Sequence, residues 1–190
     1  MINWKTTVRR SAVIVIILVL SILSGLLYQI VWDRIDRARY PQEYSEYVSA
    51  CSAVYGVPEY VIYSVIKTES DFSSNAVSSA GAVGLMQITP DTFSWISMMM
   101  KRSDDVGMLY DPKTNIEYGT YLLSYLYAKY NRWDTVFAAY NAGMGITDEW
   151  LADPAYSDED GKLTDIPYKE TRSYVKKVNG AIDVYKRLYY

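Results

Sequence analysis

The hydrophobic pattern begins with Ala12 to Trp32, 21 consecutive residues without a charge, rich in Ile, Val and Leu and interrupted only by Ser21, Ser24, Gly25 and Gln29. As a helix this run reaches roughly 31 Å, the thickness of a bilayer's hydrocarbon layer. Tyr28 and Trp32 stand near its far end, where amphipathic rings suit a membrane interface. A cleaved signal peptide would have a shorter apolar region of about 7–15 residues followed by an A-x-A-like site. No such site follows Trp32. The pattern therefore predicts a tail over 1–11 on the cytoplasmic side, a transmembrane anchor over 12–32 and a charged juxtamembrane linker over 33–40. Three basic residues lie on each side of the run, so the positive-inside count ties. Only the short tail and its free amino group favour an N-terminus inside.

Beyond Tyr40 the pattern changes to helical periods separated by Gly, Pro and Asn. Pro41 is expected to open a helix that Gly56 closes, and Pro58 one that runs to about Ser70. Residues 73–89 are small and polar, with Gly81 and Gly84, and read as a loop containing turns. Pro90, capped by Thr89, starts the next helix. Pro112 begins a long one that Asn131 stops, and Asp134 to Ala142 a short one before Gly143. Residues 153–166 are acidic and turn-rich and read as a surface flap, followed by a last helix from about Pro167 to Lys186. The predicted class is all-α, one domain over 41–190 with its own core, preceded by the single transmembrane helix.

Composition narrows the chemistry. The 190 residues contain no His and one Cys, Cys51. That removes His-dependent triads, His-ligated zinc and the His proton shuttle, and leaves proton transfer to carboxylates or tyrosines. Cys51 is expected as a small packing residue. Residues 1–39 are near +4 and residues 40–190 near −7. A domain of that sign without a basic stripe is a poor binder of nucleic acid, so no nucleic-acid partner is expected. No phosphate-loop Lys follows Gly81 and Gly84. Met98, Met99 and Met100 are read as a helix edge in the core. The chain has 20 Tyr against 3 Phe, and Tyr suits a sugar groove because its ring packs on apolar sugar faces while its hydroxyl bonds.

One carboxylate breaks the helical pattern. Ile62, Val65 and Ile66 share a face, and Glu69 occupies its next position. Burial there would raise its pKa and let it hold a proton near neutrality, as a general acid requires. The periodicity alone also allows Glu69, near a helix end, to reach solvent or a Lys.

The stretch 69–92, ESDFSSNAVSSAGAVGLMQITPDT, resembles the signature of lytic murein transglycosylases of the soluble-lytic type, a lysozyme-like family. Ala139-Tyr140-Asn141-Ala142-Gly143, the segment from Ile166 to Val175 and the segment 111–126 resemble its further blocks in the same order. The resemblance implies a goose-lysozyme-like α fold with a groove for glycan strands. It implies that Glu69 is the single catalytic acid and base, and that Ser78 lies near the substrate's acetamido group. It implies that Met86 and Gln87 line the cleft, that Tyr140 and Asn141 are the family's Tyr-Asn pair, of which the tyrosine helps position Glu69 and the sugar, and that Glu170 and Tyr174 close the groove. Ser73-Ser74 and Met144 depart from the family's usual Asn-Pro and Pro, which touches loop shape rather than chemistry.

The implied reaction cleaves the β-1,4 bond between N-acetylmuramic acid and N-acetylglucosamine and leaves a 1,6-anhydromuramic acid end. No cofactor and no metal are implied, and the implied partner is peptidoglycan outside the cytoplasmic membrane. Ordinary glycosidases need two carboxylates. Asp71, two positions from Glu69, is expected in solvent. A hydrolytic muramidase using Asp91, Glu170 or a flap acid, and a non-catalytic glycan-binding scaffold, are the competing expectations.

Overall fold

The computed structural model describes residues 4–190, with side chains from Ile16 onward. The side chains of the expected tail, and those of the first four anchor residues, lie outside the described residues. The chain divides into two compact units at Pro41 and Gln42. The first is helix α1, Trp4–Arg39. Its stretch Ile16–Arg39 is long and apolar enough to cross a membrane, and its most apolar window buries nothing against protein. Ile17, Leu20, Leu23 and Leu27 are all exposed. In water each such side chain forfeits about 1.5–3 kcal/mol of transfer energy, which hydrocarbon would recover. Ser21 donates its hydroxyl to the Ile17 carbonyl at 2.9 Å, so this polar group is satisfied within the helix.

The second unit holds α2 (Ser45–Tyr55), α3 (Glu59–Glu69), α4 (Pro90–Met99), a 3-10 turn (Val106–Tyr110), α5 (Pro112–Tyr130), α6 (Trp133–Ala142), α7 (Met144–Ala152) and α8 (Lys169–Tyr189). Among the described residues no strand forms, only isolated antiparallel bridges. Several ends follow directly from the sequence. Thr89 and Asp111 accept hydrogen bonds from the backbone of Thr92 and Thr114, each ahead of a proline in the first turn. Asn131 ends α5 in the left-handed conformation.

Three expectations are corrected. Helix α2 begins at Ser45 rather than Pro41, because Tyr44 adopts φ 58° and a left-handed residue cannot continue a right-handed helix. Helix α7 was not predicted, although Thr147 and Trp150 form its buried side. Met98 and Met99 are 68% and 43% exposed rather than core. The inward stripe of α4 is Phe93, Ile96 and Ser97, so of the three methionines only Met100 continues it.

Helix α3 is the centre of the domain. Val61 to Ile66 are six successive buried residues, as expected of a helix surrounded on all sides. α8 packs along it, with Tyr185 stacked on Tyr63 at 5.4 Å between ring centres. α5 packs against α2 and α6, and Phe93 of α4 stacks on Tyr118 of α5 at 4.3 Å. The apolar stripe containing Ile62, Val65 and Ile66 is wholly buried, which carries Glu69 at its end to the domain's interior edge.

Candidate active site

Glu69 is the last residue of α3. The chain leaves it through Asp71 and Phe72 at φ 50° and 66°, two successive non-glycine residues in the left-handed region. That conformation is strained, and the surroundings hold it. Phe72 is buried with its ring 6.5 Å from Tyr63, and exposed Asp71 pairs with Lys67 one helical turn back. The sharp turn frees the Glu69 end of α3 from the following chain, and Asp71 faces solvent as expected.

The loop then folds back beneath the acid. Ser70 donates its hydroxyl to the Leu85 carbonyl at 2.8 Å. Val83 bridges both Val77 and Ile88. Gln87, at φ 50°, donates its amide to the carbonyls of Ala76 and Gly84 at 3.1 and 2.9 Å. Met86 is fully buried, and both polar groups of its backbone are held. Its N–H donates to Oδ1 of Asn115 at 2.7 Å, and its carbonyl accepts the hydroxyl of Tyr140 at 2.8 Å. Asn115, fully buried in α5, also donates to the carbonyls of Val83 and Leu109 at 2.9 and 2.8 Å.

Two glycines allow this fit. A Cβ on Gly84, already at φ 80°, would stand 2.6 Å from the Leu109 carbonyl oxygen and overlap the Asn115 amide. A Cβ on Gly119 would overlap the sulfur and side-chain carbons of Met86. Asn115, Gly119 and Ser70 were not singled out in the sequence. Asn115 carries the same signal as Glu69, a polar residue on the buried side of an apolar helix.

Burial raises the pKa of Glu69 to about 7, and hydrogen bonding from Tyr174 holds it back from rising further. Neither a basic side chain nor a second carboxylate contributes to the shift. Tyr174 Oη is buried and approaches Glu69 without completing a well-formed hydrogen bond to any group. Both Tyr174 and Tyr140 are pushed well above the ordinary phenol value, first by burial and then by the Glu69 charge, so they remain protonated. The site is thus one carboxyl between two phenols, able to hold a proton at neutrality and to take it back.

The other expected residues are spread more widely. Ser78 is exposed, and its hydroxyl accepts from the Ala82 N–H at 3.1 Å. Asn141 is exposed at the end of α6. Glu170 is exposed in the first turn of α8, one turn before Tyr174. A cleft of about 320 Å³ adjoins the site through Tyr140 and is also lined by Asp91, Trp95, Leu126 and Met144. A separate cavity of about 260 Å³ between α2 and α5 shares no residue with it. Cys51 lines that cavity, its thiol pushed up to about 11 by burial, which makes it an inert packing group. Among the described residues no group of three or more metal-ligating side chains occurs.

The comparison with known sequences decides the family. The profile of the family described as Transglycosylase SLT domain matches residues 46–161. The chain belongs to this family. It is 34% identical over 163 residues to the soluble lytic murein transglycosylase of Escherichia coli strain K12, covering 83% of the chain and 25% of that relative. Membrane-bound lytic murein transglycosylase C of Edwardsiella ictaluri is 28% identical over 197 residues, covering 89% of the chain and 53% of that relative. The solved structure of an inactive Glu-to-Gln variant of lytic transglycosylase Slt from Pseudomonas aeruginosa superposes with a TM-score of 0.71 at 30% identity, over 80% of this chain and 25% of that one. That of the 70 kDa soluble lytic transglycosylase from Escherichia coli gives 0.73 at 33% identity over the same shares. The chain spans a quarter to about half the length of these proteins. The matched SLT segment contains Glu69, Ser78, Met86, Gln87, Tyr140 and Asn141 and ends before α8, so Glu170 and Tyr174 lie beyond it. The all-α, lysozyme-like architecture expected from the resemblance is the one these structures share.

Proposed function

We propose that the chain is a peptidoglycan lytic transglycosylase that works with one carboxyl group. The observation that carries this reading is Glu69, raised to about 7 by burial with no second carboxylate acting on it. In the protonated form it gives its proton to the glycosidic oxygen between N-acetylmuramic acid and N-acetylglucosamine, and the bond from that oxygen to C1 breaks. The acetamido carbonyl of the muramic ring stabilises the positive charge at C1. The Glu69 carboxylate then takes the proton of the same ring's 6-hydroxyl as O6 bonds to C1. The proton count closes and no water is consumed, so the reaction is a lyase reaction. Tyr174 and Tyr140 flank the acid, the loop of Met86 and Gln87 supports the floor, and Ser78, Asn141 and Glu170 are assigned to the walls of the groove.

The apolar segment of α1 supports a single-pass anchor over 12–32, with 1–11 inside, 33–40 as linker and the domain over 41–190 outside the cytoplasmic membrane, where its polymer lies. The deciding experiment is mass spectrometry of fragments released from purified peptidoglycan by the full chain in detergent, with Glu69→Gln as control. Fragments ending in 1,6-anhydromuramic acid, absent with the variant, are expected. Reducing ends would mean hydrolysis, and equal release by the variant would remove Glu69 from the chemistry.

A further inference from the structure

Between the flap over 153–166 and the start of α6 lies a cavity of about 180 Å³, lined by Arg132, Trp133, Asp134, Thr135, Lys162 and Leu163. It shares no residue with the cleft beside Tyr140, and the chemistry proposed at Glu69 makes no use of it. Arg132 to Thr135 are the N-cap and first turn of a ten-residue helix. Arg132 offers no side-chain acceptor to that turn, so its N–H groups stay uncapped and the positive end of α6 is open at this wall.

Thr135 is a second and independent mark of a ligand. It is 2% exposed, the little surface it keeps lies on the cavity, and its hydroxyl has no hydrogen-bond partner among the described residues. A hydroxyl buried in this state is costly, and an acceptor entering the cavity would relieve it. Two cations come to the same place, Arg132 from α6 and Lys162 from the flap. Both are exposed, and neither forms an ion pair among the described residues. Lys162 is the only basic residue of the flap, and the flap fixes its backbone. Its N–H donates to the Asp158 carboxylate at 2.8 Å and its carbonyl accepts the Asp158 N–H at 2.9 Å, around a turn with Gly161 at φ 68°. The flap acids Asp158, Glu159 and Asp160 do not line the cavity. Asp134 does, and its carboxylate is engaged by the Asn179 amide of α8 at 2.7 Å.

Uncapped N–H groups, a hydroxyl donor and a cation from each wall are the partners of a compact oxyanion. A phosphate group presents three terminal oxygens in a tetrahedron and can meet the helix turn, the hydroxyl and both cations together. A carboxylate has one oxygen too few. The domain's charge, near −7, disfavours a long polyanion, so the ligand is a small one.

We propose that this cavity binds a phosphate group, as the free ion or as a monoester, through the first turn of α6, Thr135, Arg132 and Lys162. A bound phosphate ties the flap to α6, the helix that carries Tyr140 in its last turn. The inference is independent of the Glu69 chemistry and stands or falls apart from it.

The backbone amide resonances of the full chain in detergent are followed by NMR during titration with inorganic phosphate, sn-glycerol 3-phosphate or acetate, with sodium chloride holding the ionic strength constant. Saturable shifts confined to residues 132–135 and 158–163 are expected with the two phosphates. Arg132→Gln and Lys162→Gln should each weaken binding about threefold or more, and the double variant should abolish it. Thr135→Val keeps the size of the side chain and should also weaken binding. The exposed Arg132 and Lys162 variants carry the test if Thr135→Val disturbs α6. Tighter binding of glycerol phosphate supports the site and assigns it to an ester-borne group, and tighter binding of inorganic phosphate supports it and assigns it to the free ion. Acetate binding as tightly as the phosphates overturns the phosphate assignment. Shifts that do not saturate, or that persist unchanged in the double variant, overturn the site.

Discussion

Tyr140 donates its hydroxyl hydrogen to the carbonyl oxygen of Met86 at 2.8 Å, joining α6 to the loop that follows Glu69. One phenol therefore stands beside the acid and clamps the loop that follows it. Tyr140→Phe keeps the ring and removes the clamp, leaving a buried carbonyl without its donor. A loss of about 1–2 kcal/mol in urea unfolding is expected. kcat should fall by on the order of tenfold or more as the floor shifts under the acid, with a smaller change in KM.

Burial raises the Glu69 carboxyl to about 7 in the folded protein, against 4.5 for a solvated glutamate. The folded protein therefore holds a proton between these values that the unfolded chain has released. Stability is full below about pH 4.5, falls as pH rises towards 7 and is level above that, a total loss on the order of 3 kcal/mol. Glu69→Gln removes the ionisation. Its unfolding free energy should match that of the parent at pH 4 and exceed it at pH 8, as read from denaturant curves at both values.

Under the proposed mechanism the same titration governs the rate. A general acid that loses its proton near pH 7 gives a kcat/KM that declines on the alkaline side of that value. Hydrogen bonding from Tyr174 lowers the Glu69 pKa. Tyr174→Phe should therefore shift the alkaline limb to higher pH. A limb that stays in place in the variant would contradict this coupling.

How far the sequence revealed the site depended on which residues carry a pattern. The break in the Ile62, Val65 and Ile66 stripe exposed Glu69, and proline, threonine and asparagine marked the helix ends around it, because those signals are local. Asn115 shows a polar residue on the buried side of a helix, as Glu69 does, but nothing along α5 says what it holds, and Gly119 gave no signal at all. Their roles are set by Met86 and Leu109, which the fold brings to α5 from outside that helix, and no spacing along α5 records that approach. The start of α2 was misread for a related reason. A proline signals where a helix is permitted, while the left-handed Tyr44 that delays it is imposed by the path of the chain. The exposure of Met98 and Met99 followed once Phe93 and Ile96 fixed the inward face of α4.

Asn115 offers the next test. Asn115→Ala strands the Met86 N–H and removes the Asn115 donor from the carbonyls of Leu109 and of Val83, the latter keeping the Ile88 N–H, and a destabilisation of about 2–3 kcal/mol is expected. Asn115→Asp keeps the acceptor and loses both donors, so it should not restore stability at neutral pH.

Gly119→Ala would drive a methyl group into the Met86 side chain. Overpacking of this kind costs about 1–3 kcal/mol, and here the strain is delivered to the cleft floor. A lower Tm and a lower kcat are expected together.

The tethering of the Met86 backbone at both its N–H and its carbonyl reaches beyond stability. A loop ordered by Asn115, Ser70, Gln87 and Tyr140 while the chain folds loses its conformational freedom then, and not when a glycan arrives. The polymer meets a surface already shaped, so the free energy of its contacts is available to orient the scissile bond rather than to freeze the protein. Under the proposed function, with a large, slowly diffusing wall as substrate, a brief encounter is enough for productive alignment.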